Sequence, residues 1–368
     1  MHQKIPFVSL DFQLKDSKKE LFEISKNVIT SGWYVLGKNL KEFESNYKDL
    51  SNVNYAVGVG SGLDALIISL KSLNIKKNDE VIVASNAYIA SWLSITNVGA
   101  TIIPVEPCEN SFNIDASKIE DKITKNTKVI MPVHLYGQPC EMDKIMEIAR
   151  KYGLHVIEDN AQSHLAKFEN QITGSFGDIN ATSFYPTKNI GAIGEAGCIT
   201  TNNKGLFDYA NKYRNYGSSE KYICDIIGTN SRLDEIHAAF LNVKLKNIHK
   251  WTSERQKIAS LYNERLKENV ITPYLNPKCT HVYHLYVIKT DKRDGLMEFL
   301  QQKGIGTAIH YPIPPHLQKA YSHLNYKKGD FPIAEKLANQ SLSLPIYPGL
   351  SNDQVNYICD SIKEFFKS

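Results

Sequence analysis

Lys188 stands in the stretch Ser183-Phe-Tyr-Pro-Thr-Lys188-Asn189, and a Gly-rich run, Gly191-Ala-Ile-Gly194-Glu-Ala-Gly197, follows directly. Residues Ala181 to Tyr185 are apolar and β-prone, which predicts a buried strand. Pro186 offers no N–H to a ladder and ends it. Lys188 then falls on a turn at a strand end. A lysine held there and partly desolvated has its pKa lowered, as a Schiff-base nucleophile requires. The plain alternative is a solvated loop lysine, so the case rests on what else shares its address.

Glu158-Asp159-Asn-Ala-Gln162-Ser163-His164 follows a short apolar run that begins at His155. A carboxylate at a strand end can pair with a pyridinium nitrogen and keep a pyridoxal ring protonated. It can also cap the next turn. A metal site is disfavoured, because no H-x-x-x-H or second acidic cluster accompanies it. Val57-Gly-Val-Gly-Ser61-Gly62-Leu63-Asp64 joins a strand to a helix. Small residues there let backbone N–H groups approach an anion at a helix N-terminus. Neither the P-loop nor the dinucleotide spacing is present. Asp64 would repel a phosphate unless it points away. Tyr88, in Asn86-Ala-Tyr88-Ile, can stack on a flat ring or join the core. His134 and the pair His310-Tyr311 also lie near predicted strand ends, with substrate contact and structural packing both open.

These groups need a scaffold. Strand and helix alternate from Tyr55: strands at Tyr55 to Val59, Glu80 to Ala84, Thr101 to Val105, Lys128 to Leu135, His155 to Glu158 and Cys198 to Thr201. Helices are expected at Leu63 to Leu73, Ile89 to Val98, Asp115 to Ile123, Met142 to Tyr152 and Leu206 to Arg214. This rhythm predicts an α/β fold with a mostly parallel sheet covered on both faces. Ligands in such folds bind outside the carboxyl ends of the strands, where the groups above fall. Two helices precede the sheet, at Lys18 to Ile29 and Leu40 to Leu50, with Gly32 and Gly37 as breaks and Trp33 and Tyr34 as packing residues or pocket lining. Leu233 to Leu266 carries nearly unbroken helical periodicity. Beyond it, segments at 284–289, 296–303, 307–311, 333–341 and 353–366 predict a smaller α/β unit. The expected division is a large domain over residues 1–248 and a small one over 249–368.

The 368 residues, 42% apolar and 22% charged, suit a globular protein, and a net charge of +4 with no basic block does not suggest nucleic acid. Six scattered cysteines without a C-x-x-C pair suggest reduced thiols. The N-terminus lacks an apolar signal core, and no run nears the roughly 18 apolar residues of a membrane span. The expectation is a soluble cytoplasmic protein with no membrane partner.

A small-residue anion loop, then a carboxylate, then a lysine some thirty residues later is the chain order of a pyridoxal-phosphate enzyme. The sequence resembles the DegT/DnrJ/EryC/StrS sugar aminotransferases, a branch of the aspartate-aminotransferase-like (type I) fold. The resemblance runs from Ile5-Pro-Phe-Val to Leu344-Pro-Ile-Tyr-Pro. It is carried by Glu158-Asp159-x-Ala-Gln162, Ser183-Phe-Tyr-Pro-Thr-Lys188-Asn, Gly228-x-Asn230-Ser-Arg232-Leu-Asp-Glu235 and His310-Tyr-Pro. It implies Lys188 as the Schiff-base lysine and Asp159 as partner of the pyridine nitrogen. Gln162 falls beside the ring hydroxyl and Tyr88 on the ring face. Ser61, Gly62, Leu63 and Ser183 form the phosphate cup. Asn230 reaches that phosphate from a neighbouring subunit, with Arg232 beside it, which implies a homodimer with shared sites. Tyr185, Arg232, His310 and Tyr311 fall on the substrate side. Two positions depart from the family pattern: Leu63 replaces a common threonine, and His237 replaces a glutamine.

Some relatives carry histidine in place of the lysine and dehydrate sugars, so Lys188 favours transamination. The resemblance is strongest to the branch that aminates C3 of dTDP-3-keto-6-deoxyhexoses. It implies L-glutamate as amino donor, pyridoxal 5'-phosphate cycling with its pyridoxamine form, and a dTDP-3-amino-3,6-dideoxyhexose product for a surface glycan such as O-antigen. A C4-specific nucleotide-sugar aminotransferase is the competing reading, followed by a dehydratase and a scaffold without activity.

Overall fold

The computed structural model describes residues 4–367. Helices α1 (Asp11–Ser31) and α2 (Lys38–Ser51) come first. Gly32 ends α1 in the left-handed region, at φ 65°, and Gly37 precedes α2. Trp33 and Tyr34 correct the packing expectation: they are 65% and 54% exposed in the single chain.

The alternation then proceeds as β1 (Tyr55–Val59), α3 (Gly62–Ser72), β2 (Glu80–Ala84), α4 (Ile89–Asn97), β3 (Thr101–Val105), β4 (Thr127–Met131), α5 (Met142–Tyr152), β5 (His155–Asp159), β6 (Ile179–Ser183), β7 (Gly197–Thr201) and α6 (Lys204–Tyr213). The seven strands form one sheet in the order β1-β7-β6-β5-β4-β2-β3. All pairings are parallel except those of β7, which runs antiparallel to both β1 and β6. This is the expected α/β architecture. Val81, Ile82 and Val83 are all fully buried, as a strand covered on both faces requires.

Boundaries differ from expectation in several places; the strand expected over 128–135, for one, ends at Met131. Residues 115–123 form two short 3₁₀ turns instead of a helix, and the Asp115 side chain caps the first by accepting from Ser117 N–H at 3.1 Å. The strand expected over 181–185 ends at Ser183, and the chain turns before Pro186. The helical stretch 233–266 splits at 246–247 into α7 (Glu235–Leu245) and α8 (Ile248–Leu266). Residues 307–311 form no strand, and pair only through the single bridge Ala308–Ser343.

After α8, β8 (Tyr286–Lys289) and β9 (Ser341–Leu344) pair antiparallel. They pack with α9 (Arg293–Gln302) and α11 (Asn352–Lys367) around a separate apolar cluster that includes Tyr262, Leu296, Leu342 and Ile358. Helix α10 (Pro332–Gln340) is tied to the main sheet: Glu106, just past β3, accepts the Ile333 and Ala334 N–H groups at 2.7 and 3.1 Å. A carboxylate at a helix N-terminus satisfies donors that have no partner within the helix.

Candidate active site

The carboxyl ends of β1, β2, β5 and β6 converge, and each delivers a group to one place. Strand β5 ends on Glu158 and Asp159. Successive strand residues face opposite ways, so the two acids part company. Glu158 turns into the core, where Oε2 accepts from His134 Nε2–H and Gly174 N–H, both at 2.8 Å. Its Oε1 accepts Phe176 N–H at 2.7 Å and Gly177 N–H at 3.0 Å. His134 is fully buried, and its Nδ1 accepts the Cys140 N–H at 3.1 Å. This histidine is therefore structural and does not contact substrate.

Asp159 turns to the rim. Its Oδ2 accepts the Ser91 hydroxyl at 2.7 Å, and its Oδ1 accepts the Ala161 N–H at 3.1 Å. Ser91 is fully buried on α4 and was not singled out from sequence. Its position three residues after Tyr88 puts it on the same side of the helix's first turn, a signal that was available.

Lys188 lies on the turn beyond β6, where its N–H donates to the Tyr185 carbonyl at 2.8 Å. Burial pulls its ammonium pKa down to about 8, against the opposing pull of Asp159. No hydrogen bond among the described residues fixes its Nζ, although part of the residue reaches the surface. An amine of this kind is chargeable and reactive near neutral pH. His164 sits beside it. Burial and then the Lys188 charge push its imidazole down to about 3, so it is neutral. The Ser183 carbonyl can only accept, so His164 Nε2 donates to it at 3.0 Å. Nδ1 is then left as a buried acceptor without a partner among the described residues.

Gln162 is held at both ends of its amide: Oε1 accepts the Tyr136 N–H at 2.6 Å and Nε2 donates to the Tyr311 hydroxyl at 3.1 Å. The Tyr311 ring lies 5.0 Å from that of Tyr88, tilted by 34°. Tyr88 is 47% exposed and so is free to cover a ligand from the open side. The Tyr136 hydroxyl donates to the His310 carbonyl. His310 Nδ1 and Ser343 Oγ are hydrogen-bonded at 2.8 Å, and burial with the nearby Lys188 charge lowers this imidazole to about 4. Tyr185 is exposed at the mouth.

Helix α3 completes the floor. Ser61 caps it, accepting the Asp64 N–H at 3.1 Å. Gly62 lies so close to β6 that a Cβ there would meet Ser183 Cβ at 2.6 Å. The helix N-terminus therefore abuts Ser183, with Leu63 half-buried in its first turn. Asp64 points away from this anion-favouring end: its Oδ2 accepts the Ser231 hydroxyl at 2.8 Å, and that hydroxyl accepts the Gly60 N–H at 2.9 Å.

Asn230 and Arg232, on either side of Ser231, are not brought to Lys188. Asn230 is exposed, and Arg232 lies over the Tyr216 ring at 5.3 Å with a bond to Asn215 Oδ1 at 3.1 Å. Among the described residues no group of histidine, cysteine and acidic side chains is placed to hold a metal. No helix among them is long and apolar enough to cross a membrane.

The DegT/DnrJ/EryC1/StrS aminotransferase family model matches residues 15–363. The chain belongs to this family. It is 44% identical over 362 residues to the dTDP-3-amino-3,6-dideoxy-alpha-D-galactopyranose transaminase of Aneurinibacillus thermoaerophilus, covering 98% of this chain and 99% of the relative. It is 40% identical over 364 residues to the dTDP-3-amino-3,4,6-trideoxy-alpha-D-glucose transaminase of Streptomyces venezuelae, covering 98% and 96%. The crystal structure of S. venezuelae DesV in complex with a ketimine intermediate superposes with a TM-score of 0.97 at 39% identity, covering 99% of each chain. The α/β fold expected of a pyridoxal-phosphate-dependent aminotransferase is the fold observed, and the enzyme is an aminotransferase.

Proposed function

We propose that this aminotransferase uses pyridoxal 5'-phosphate to move the amino group of L-glutamate to C3 of a dTDP-3-keto-6-deoxyhexose. The product is a dTDP-3-amino-3,6-dideoxyhexose, a precursor for a surface glycan. The observation that carries this reading is a desolvated amine, Lys188, acting under the charge of one oriented carboxylate, Asp159. The C3 regiochemistry is supported by the two relatives above, both named for 3-amino dTDP sugars.

The residues fit the cofactor. A carboxylate is oriented at a strand tip, a capped helix N-terminus points at the same rim, and His164 offers a buried acceptor with no partner among the described residues. Asp159 would face the pyridine nitrogen and Gln162 the ring hydroxyl, with Tyr88 on the ring face. Ser61, Gly62, Leu63 and Ser183 would hold the phosphate, and Asn230 would reach it from a second copy of the chain. When bound, the cofactor supplies a protonated ring that takes up the electrons released at the donor's α-carbon.

The chain's own groups do the rest. Lys188, freed as an amine by the donor, takes the α-proton and later returns one, as base and then acid. A pKa near 8 suits both roles. Ser91 and the Ala161 N–H keep the Asp159 carboxylate aimed. Tyr185, Arg232, His310 and Tyr311 are assigned to the sugar nucleotide. His310 stays neutral at working pH, so it can hydrogen-bond a sugar hydroxyl without adding charge. The shared site requires a homodimer, and the division into residues 1–248 and 249–368 forms the cleft walls. We place the enzyme in the cytoplasm.

The test is spectroscopic and then chemical. Purified protein with pyridoxal phosphate should show a visible band that glutamate abolishes. Adding dTDP-3-keto-6-deoxyhexose should restore it and give a 3-amino product by NMR. Amination of the 4-keto sugar alone would overturn the regiochemistry. A band that glutamate leaves unchanged would overturn transamination.

A further inference from the structure

Lys188 is not the only buried amine. Lys244, on α7, is 2% exposed and has no carboxylate partner among the described residues. A buried ammonium without a counter-ion is expensive to keep. Its two partners are uncharged oxygens: Gln13 Oε1 on α1, at 2.6 Å, and the carbonyl of Gly191. Burial lowers its pKa to about 8.

Gly191 closes the loop that bears Lys188. The loop opens with the Lys188 N–H on the Tyr185 carbonyl and shuts with the Ala192 N–H on the Phe184 carbonyl, each at 2.8 Å. Its closing end is tight: a Cβ at Gly191 would fall 2.2 Å from the Pro186 carbonyl oxygen. One further contact comes from the same helix. His237 Nε2 would meet a Cβ at Gly194 at 3.0 Å. Residues seven apart lie on one helical face, so His237 and Lys244 meet the Gly-rich run from one side of α7.

We propose that Lys244 is a positioning residue for Lys188: by fixing the Gly191 carbonyl it holds the closing end of the loop from which the Lys188 amine works. The proposal rests on the assignment of Lys188 made above. The test uses the full-length protein with bound cofactor. In Lys244→Met the glutamate half-reaction at saturation should slow about tenfold, the loss expected for one hydrogen bond to a charged group. The apparent glutamate affinity should stay within about twofold. Amide hydrogen exchange at residues 188–192 should accelerate about tenfold while the sheet amides hold. Lys244→Arg, which keeps a cation and donors, should restore both readouts to within about threefold.

Gln13→Leu is the second arm, because it removes the α1 partner and leaves the tie to Gly191. It should change neither loop exchange nor the half-reaction by more than about twofold. A folded Lys244→Met protein with unchanged exchange and rate would overturn the proposal. So would a Gln13→Leu protein whose loop loosens tenfold, which decides the matter even where Lys244→Met does not fold. If the Lys188 assignment itself were wrong, the unsubstituted protein would show no glutamate-dependent loss of its visible band, whereas the exchange comparison would still report on Lys244.

Discussion

Glu158 and Asp159 are adjacent in one strand, and their surroundings are opposites. On the Glu158 side every carboxylate oxygen is occupied, three backbone N–H groups and His134 converge, and the region is closed to solvent. On the Asp159 side the bonding is incomplete. Among the described residues Lys188 Nζ has no fixed partner and His164 Nδ1 is orphaned, and Tyr88 and Tyr185 stand exposed. A fully satisfied polar network specifies and rigidifies a core. Unused bonding capacity at a rim is what a ligand requires. The two carboxylates are chemically alike, and only the face of β5 on which each emerges separates scaffold from reaction.

That contrast can be broken by experiment. Lys188→Ala removes the acid–base group and should lower turnover by about 10²–10⁴-fold with little change in melting temperature. Asp159→Asn removes the charge opposite the ring nitrogen and should cost roughly 10²–10³-fold in kcat, again in a folded protein. In the cofactor-free protein, modification of Lys188 by an amine-selective reagent, followed by mass spectrometry, should rise with pH through about 8, where an ordinary lysine would rise near 10.5. The same shift has a thermodynamic sign. The folded state sheds this proton near pH 8 and the unfolded chain near 10.5, so this group's contribution favours folding progressively as pH climbs between the two. A midpoint at the ordinary value would erase the distinction between the two sides of the strand.

Glu158→Gln should behave in the reverse way. It leaves at least one buried N–H facing an amide, at about 1–3 kcal/mol, and should lower the melting temperature while the folded fraction keeps its turnover. If its activity fell as far as that of Asp159→Asn, the division between the two acids would fail. Ser91→Ala gives the smallest effect. Losing one hydroxyl on Asp159 should reduce kcat about tenfold, and Ser91→Thr should recover most of it.

Much of this was legible in the chain. The bounds of β1, β2, β3 and α5 follow directly from apolar runs between polar or glycine punctuation. The shared location of Asp159, Gln162, Lys188 and Ser61 at strand ends could be read from their positions in the alternation. Residues 115–123 misled because the segment continues only as two short 3₁₀ turns after its Asp115 cap. Residues 307–311 misled because β character needs a partner strand along its length, and only Ala308 found one.

The order of elements and the identity of the acid, the amine and the anion loop are properties of the chain itself, because periodicity and residue chemistry act over a few neighbouring residues. The tertiary structure alone decided which of two adjacent acids faces the rim. It also withdrew His134 to the core, brought Ser91 under Asp159 from 68 residues away and placed Lys244 beneath the loop of Lys188. Burial, unpartnered polar atoms and pKa values depend on what packs from distant parts of the chain, and no local pattern records that.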